Sequence, residues 1–314
     1  LVASSWKADG ADERRKFVEV LGEGATVADE PFLEAALDDR SKLVRQAAAR
    51  ALSLVDGSRL VARVEGIVKG AVRVEESKKG LLRKTVRTLA IEPPKAWDKG
   101  WERDGLEEKP AGKIGQRAWW LQQALALYGP RRLAALLAMD YAALLEALRE
   151  HEYGDEVVGG LREWAPARQD AEWLVALAEF ELKNEKTPTM GVLQLLHGVP
   201  VETAERVAGI VMQRRGFSMS DVGGMCNAVA GPWSAKFTKA VADQIADVSG
   251  KKSENTWWAG EVVQVVTVKG AVAAAGAVEK AIEGLGDEIN SQPRVRASLD
   301  RLRLRQDMHK EFAR

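Results

Sequence analysis

Apolar residues recur along this chain at intervals of three and four. Leu43, Val44, Ala47, Ala48, Ala51 and Leu52 make one such stripe, and Val201, Ala204, Val207, Ala208, Val211 and Met212 make another. Each is the single apolar face of an amphipathic helix. Long apolar/polar alternation is scarce, so strands should be few. Start signals stand at Thr187 before Pro188, at Ser218 with Asp221 three residues on, and at Pro232 before Trp233 and Ser234. Helices of about 10–16 residues follow: four between Gln116 and Leu182, with breaks near Gly129-Pro130, Gly154 and Pro166, and six or seven from Thr187 onward. Helices this short, apolar on one side and joined by brief turns, bury themselves only against their sequence neighbours. The expected fold is all-α, an α-solenoid of antiparallel helix pairs.

One stretch breaks the pattern. Between Lys78 and Pro110, the residues Pro93, Pro94, Gly100, Gly105 and Pro110, with Gly112 just beyond, forbid a continuous helix. The reading is a short extended piece at Val86 to Ile91 and then a long loop, ordered by Trp97 and Trp101. The chain thus divides into helical repeats over 1–77, a loop insertion carrying at most a short strand over 78–115, and degenerate helical repeats with a terminal cap helix over 116–314.

The run from Asp29 to Leu54 reads as two helices around a tight turn at Asp38 to Ser41. Its spacing resembles the HEAT repeat, whose first helix carries a proline, whose turn carries an aspartate and whose second helix carries a Val-Arg pair. Here these are Pro31, Asp39, Val44 and Arg45. The aspartate is placed to cap the second helix, and the arginine to reach the turn of an adjacent repeat. Elsewhere the marks fade, as at Pro293-Arg-Val-Arg296, so the other repeats would be degenerate. The whole chain also resembles a bacterial family, domain-of-unknown-function family 5691. The resemblance rests on Asp29 to Arg45, Trp101-Glu-Arg-Asp-Gly-Leu106 with Lys109-Pro110, Gly115-Gln-Arg-Ala-Trp-Trp-Leu121, Gly231-Pro-Trp-Ser234 and Leu302-Arg-Leu-Arg-Gln-Asp-Met308. It implies helical repeats, no established activity, no catalytic residues to carry over, and a longer native protein. The opening Leu1-Val-Ala-Ser-Ser-Trp6, without methionine, fits that last expectation.

Composition narrows the chemistry. Lysine plus arginine equal aspartate plus glutamate at 46 each, so no global field draws in nucleic acid or an anionic membrane. No apolar run approaches the roughly 20 residues of a membrane span. The single Cys226 excludes an internal disulfide and fits a reducing, cytoplasmic setting. His151, His197 and His309 lie far apart and lack the spacing of metal ligands. Gly250-Lys251-Lys252-Ser253 lacks the first glycine of a phosphate loop, since Ile245 stands in its place. The adjacent pairs Asp38-Asp39 and Glu107-Glu108 suit capping or solvation better than acid/base work. No catalytic residue, metal or cofactor is expected.

What remains is aromatic and basic. Ten tryptophans are many for such a chain. Most fill gaps between irregular helices, but the adjacent pairs Trp119-Trp120 and Trp257-Trp258 point about 100° apart, so one partner need not face the core. The expectation is a non-enzymatic scaffold that holds a protein partner through Trp97, Trp101, Arg103, Asp104 and Trp120, with an exposed tryptophan cluster and no deep polar pocket. The alternative is nucleic-acid binding through Lys78, Lys79, Arg83, Lys84 and Arg87 near the aromatic loop, together with a second basic stretch that includes Arg301 and Arg305. An enzyme of unknown class, with convergent carboxylates in a cleft, is the third reading.

Overall fold

A computed structural model describes residues 6, 8–79, 84–110, 112–164, 170–184, 187–249 and 256–312, with the side chains at 77–79, 84–87, 248–249 and 256–257 left undescribed. The described residues form eighteen helices and one two-stranded sheet, so the class is all-α. Two compact units divide the chain, Leu1–Arg168 and Gln169–Arg314.

In the first unit, α1 (Ala11–Gly22), α2 (Glu30–Ala36), α3 (Lys42–Leu54) and α4 (Arg59–Ala71) lead into strands β1 (Val72–Lys79) and β2 (Lys84–Ile91). After a loop holding the one-turn α5 (Gly100–Arg103) come α6 (Gln116–Tyr128), α7 (Pro130–Leu137), α8 (Tyr141–Leu148) and α9 (Gly154–Glu163). Helix α3 packs on α1, α2, α4 and α6, and α6 packs on α4 and α9. The α3 stripe is buried at Val44, Ala47, Ala48, Ala51 and Leu52, while Leu43 stands 57 % exposed at its edge. Pro31 lies in the first turn of α2, where its missing N–H costs nothing.

The extended segment is larger than expected. A full antiparallel hairpin pairs Val72 with Ile91 through to Lys79 with Lys84, where the sequence reading has a single strand from Val86. The first strand was masked because its apolar positions, Val72 and Val74, continue directly from the apolar face of α4. One more helix boundary was missed between Gln116 and Leu182. Ala138 adopts a left-handed conformation (φ 51°) and Asp140 caps α8 by accepting from the Ala143 N–H at 2.7 Å, so the turn needs neither glycine nor proline.

The second unit contains α10 (Ala171–Leu182), α11 (Thr189–Leu193), α12 (Val201–Val211), α13 (Met219–Ala228), α14 (Ala235–Ser249), α15 (Thr256–Lys269), α16 (Ala275–Glu283), α17 (Asp287–Asn290) and α18 (Pro293–Phe312). Helices two apart in the chain pack together: α10 on α12, α12 on α14, α14 on α16, and likewise α11 on α13, α13 on α15, with α15 on α18. Their shared stripes are fully buried at Ala204, Val207, Ala208 and Val211 and again at Val262, Val263 and Val266. Ser218 starts α13 as expected, accepting from the Asp221 N–H while the Asp221 carboxylate takes the Ser218 N–H at 2.9 Å. Ser234 starts α14, its Oγ accepting from the Phe237 N–H at 3.1 Å. Thr187 does not cap a helix; α11 begins at Thr189.

Candidate functional site

The Trp101 to Leu106 signature is a clamp that seats the β2–α6 loop on helices α2, α3, α4 and α6. Its Arg103 and Asp104 side chains and the Glu102 carbonyl have partners distant in sequence. Arg103 donates to Asp38 from Nε at 2.7 Å and Nη2 at 3.0 Å, and to the Glu34 carbonyl at 3.1 Å. Arg63 of α4 bridges Asp104 at 2.7 Å and Glu34 at 3.0 Å. Asp104 and Glu34 are buried, 5 % exposed each, so their charges are admissible only because both arginines meet them. The hydrogen bond from Arg103 holds Asp38 below the usual carboxylate range, and the Asp104 carboxylate, with help from Glu34, raises Arg63.

Gly105 shows why the clamp fits. Its φ is +83°, and a β-carbon there would stand 3.0 Å from Ala49 Cβ and 3.2 Å from Gln46 Cα. The loop backbone therefore lies directly on α3, an approach open only to glycine. Leu106 is buried beside it, and Arg45 reaches over to donate from Nε to the Glu102 carbonyl at 3.1 Å. The other arm of Arg45 bonds the Asp39 carbonyl at 2.9 Å. It thus closes its own turn rather than that of an adjacent repeat. Asp39 accepts the Ser41 N–H at 2.8 Å and forms a two-point pair with Arg14 of α1 at 2.8 and 3.1 Å. That pair is almost wholly buried, at 3 % and 5 % side-chain exposure. Burial alone would raise Asp39, but the Arg14 guanidinium and the Ser41 N–H outweigh it and lower its pKa.

The three expected tryptophans do come together. Ring centroids lie 5.2 Å apart for Trp97–Trp101, 5.5 Å for Trp97–Trp120 and 6.1 Å for Trp101–Trp120. The cluster is not an exposed one, however. Trp120 is 5 % exposed and donates its N–H to the Glu108 carbonyl at 2.8 Å, and Trp97 and Trp101 are half-buried. Asp104 and Trp120 are thus interior groups that hold the loop, and the neighbour Trp119 is half-buried on another side of the helix.

Trp119 lines a groove of about 690 Å³ between α3 and α6. Its α3 wall is Gln46, Ala49, Arg50, Ser53 and Leu54. The α6 wall is Trp119, Gln123, Ala126 and Leu127, and Gly105, Leu106 and Glu107 of the loop form a further part of the lining. Glu163 and Trp164 also line it. Two glutamines fix the loop between the walls. Gln123 clasps the Glu107 backbone, accepting its N–H at 2.7 Å and donating to its carbonyl at 3.0 Å. Gln46 and Lys42 hold the Glu107 carboxylate at 2.8 and 2.7 Å. Burial pushes Glu107 up, but those two partners more than offset it, so the carboxyl sits below its ordinary value. A second hollow of about 240 Å³, lined among others by Lys42, Arg45, Lys109 and Glu102, shares Gly105, Leu106 and Glu107 with the first.

A family model matches residues 1–312. The chain belongs to DUF5691, a family of unknown function. No curated protein and no solved structure matches it, so for this DUF5691 chain the site itself has to carry the functional argument.

The remaining expected positions contribute less. Arg83 lies outside the described residues, as do the side chains of Lys78, Lys79, Lys84 and Arg87; the backbone register sets Lys79 opposite Lys84, Lys78 opposite Thr85 and Arg87 opposite Glu76. Arg305 is committed to the end of α15, donating to the Thr267 and Gly270 carbonyls, whereas Arg301 is exposed. Cys226 is fully buried, and desolvation pushes its thiol up to about 12, which leaves it protonated and inert at neutral pH. Among the described residues no three His, Cys, Asp or Glu side chains are grouped to hold a metal, and no helix is long and apolar enough to cross a membrane. The groove residues Arg50, Gln46, Gln123 and Glu163, and the clamp residues Arg63 and Glu34, were missed by sequence reasoning. Gln46 beside the Ala47 stripe and Gln122-Gln123 inside the apolar α6 run were the available signals.

Proposed function

We propose that this protein is a non-enzymatic adaptor of HEAT-like helical repeats, working in the cytoplasm, which holds an extended segment of a protein partner in the α3–α6 groove. The groove carries the reading: it is mixed in polarity, and lined by backbone and side chains that the loop clamp holds fixed. Preorganisation of this kind reduces the ordering cost of binding. A groove of several hundred Å³ lined by Trp119, Trp164, Leu106 and Leu127 offers apolar contact, and Gln46 and Gln123 give polar edges for a peptide backbone. The repeat reading is supported by the Pro31, Asp39, Val44, Arg45 marks and by the packing of helices two apart in the second unit. Glu107, the carboxylate that the loop brings to the groove, is spent on Lys42 and Gln46, which favours binding over catalysis.

The test is a nuclease-treated pull-down from the native host, comparing the wild-type chain with Ala126→Trp, which fills the half-buried α6 wall, and with Val268→Trp, which alters an exposed position of the second unit. A stoichiometric protein lost from the first variant and kept by the second supports the proposal. Equal recovery by all three chains contradicts the groove. Enrichment of nucleic acid alone when nuclease is omitted moves the function to DNA or RNA binding.

A further inference from the structure

Two charges in the groove have no ion-pair or side-chain hydrogen-bond partner among the described residues. They are Arg50 on α3 and Glu163 at the end of α9, which line the same cavity and are both exposed. The contrast with their surroundings is sharp: Lys42, Glu107, Arg103, Asp104 and Arg63, the nearby charges of the clamp, are all paired. The same lining carries the apolar side chains of Leu54, Ala126 and Leu127 and the half-buried Trp119. The α3 wall runs from Gln46 to Leu54, which at about 1.5 Å per residue is roughly 12 Å, the span of about four extended residues.

Resting on the groove reading above, we infer that the bound segment is an extended peptide of a partner protein in which an acidic and a basic side chain flank an apolar one. The acid meets Arg50, the base meets Glu163, and the apolar side chain lies against Leu54, Ala126 and Leu127. A purely acidic or purely basic segment would leave one of the two groove charges facing a like charge. Complementarity of this type selects partners more than it adds raw affinity.

Random dodecapeptides displayed on phage are selected against the immobilised full-length chain, and one selected peptide is synthesised. Enriched sequences carry one acid and one base around an apolar residue, and binding of the synthetic peptide falls about fivefold or more on Arg50→Glu and on Glu163→Lys. Arg50→Glu regains binding to a version of the peptide whose acid is replaced by lysine. Both variants keep the wild-type melting temperature, because neither side chain has a partner to lose among the described residues. Enriched peptides that Ala126→Trp abolishes but Arg50→Glu leaves unchanged would overturn the charge assignment and keep the groove. Failure to enrich any peptide, or binding indifferent to Ala126→Trp, would overturn both.

Discussion

In the first unit, ion pairs at the clamp and the α2–α3 turn join segments far apart in the chain: Arg14 to Asp39, Arg63 to Asp104, Arg103 to Asp38. In the second unit, two cations close helix ends. Lys269 donates to the Cys226 and Val229 carbonyls that terminate α13, at 2.9 and 2.8 Å, and Arg305 does the same for α15. Helix-end cations are what a stack of similar helices needs at each step, since every helix leaves unpaired carbonyls. Cross-chain pairs that seat one particular loop are not required by stacking. The first unit therefore spends its buried charge on holding a shape, and that shape is the groove.

The largest break in this contrast is Asp39→Asn. It leaves Arg14 buried without its counter-ion, and urea unfolding should show a loss of about 3–5 kcal/mol. The same pair sets a pH limit. Asp39 is held below its ordinary value of 3.8, so its contribution is fully present above that value and is lost as pH falls through the lowered one. Wild-type melting should be flat from pH 7 to about 5 and fall below about pH 4, with a smaller acid loss in Asp39→Asn.

Gly105→Ala comes next, at about 2–3 kcal/mol, combining a left-handed φ with a β-carbon forced against Ala49. Tryptophan emission from the Trp97, Trp101 and Trp120 cluster should shift to the red as the loop lifts. In the second unit Lys269→Met should cost only about 1–2 kcal/mol, from the α13 carbonyls it leaves bare, and it should speed thiol labelling of Cys226. Smallest is the pair of adjacent indoles. Trp120→Phe loses the bond to Glu108 and should cost about 1 kcal/mol, whereas Trp119→Phe removes a buried N–H that has no acceptor and should be nearly neutral in thermal melts.

The contrast also explains what was legible in the sequence. Periodicity exposed the α3 and α12 stripes because each helix buries a single face against a neighbour two helices away. Turn chemistry exposed the starts at Ser218 and Ser234. The Trp101 to Leu106 signature stood out because a clamp needs specific residues at fixed spacing, and its members do lie together. Their direction was not legible. Whether Asp104 and Trp120 face a partner or the interior depends on Arg63 and Glu108, which lie 41 and 12 residues away and carry no local mark. The groove was invisible for the same reason, since its walls belong to helices separated by the hairpin. The hairpin itself was half-read, because β1 grows without a break from the end of α4.

The most direct measurement is backbone hydrogen exchange on the full chain, free and saturated with the protein captured from the host. The account predicts slowed exchange on binding in α3, in the loop over residues 100–110 and in α6, with the helices of the second unit unchanged. Protection confined to the second unit, with the α3–α6 groove exchanging as in the free chain, would contradict it.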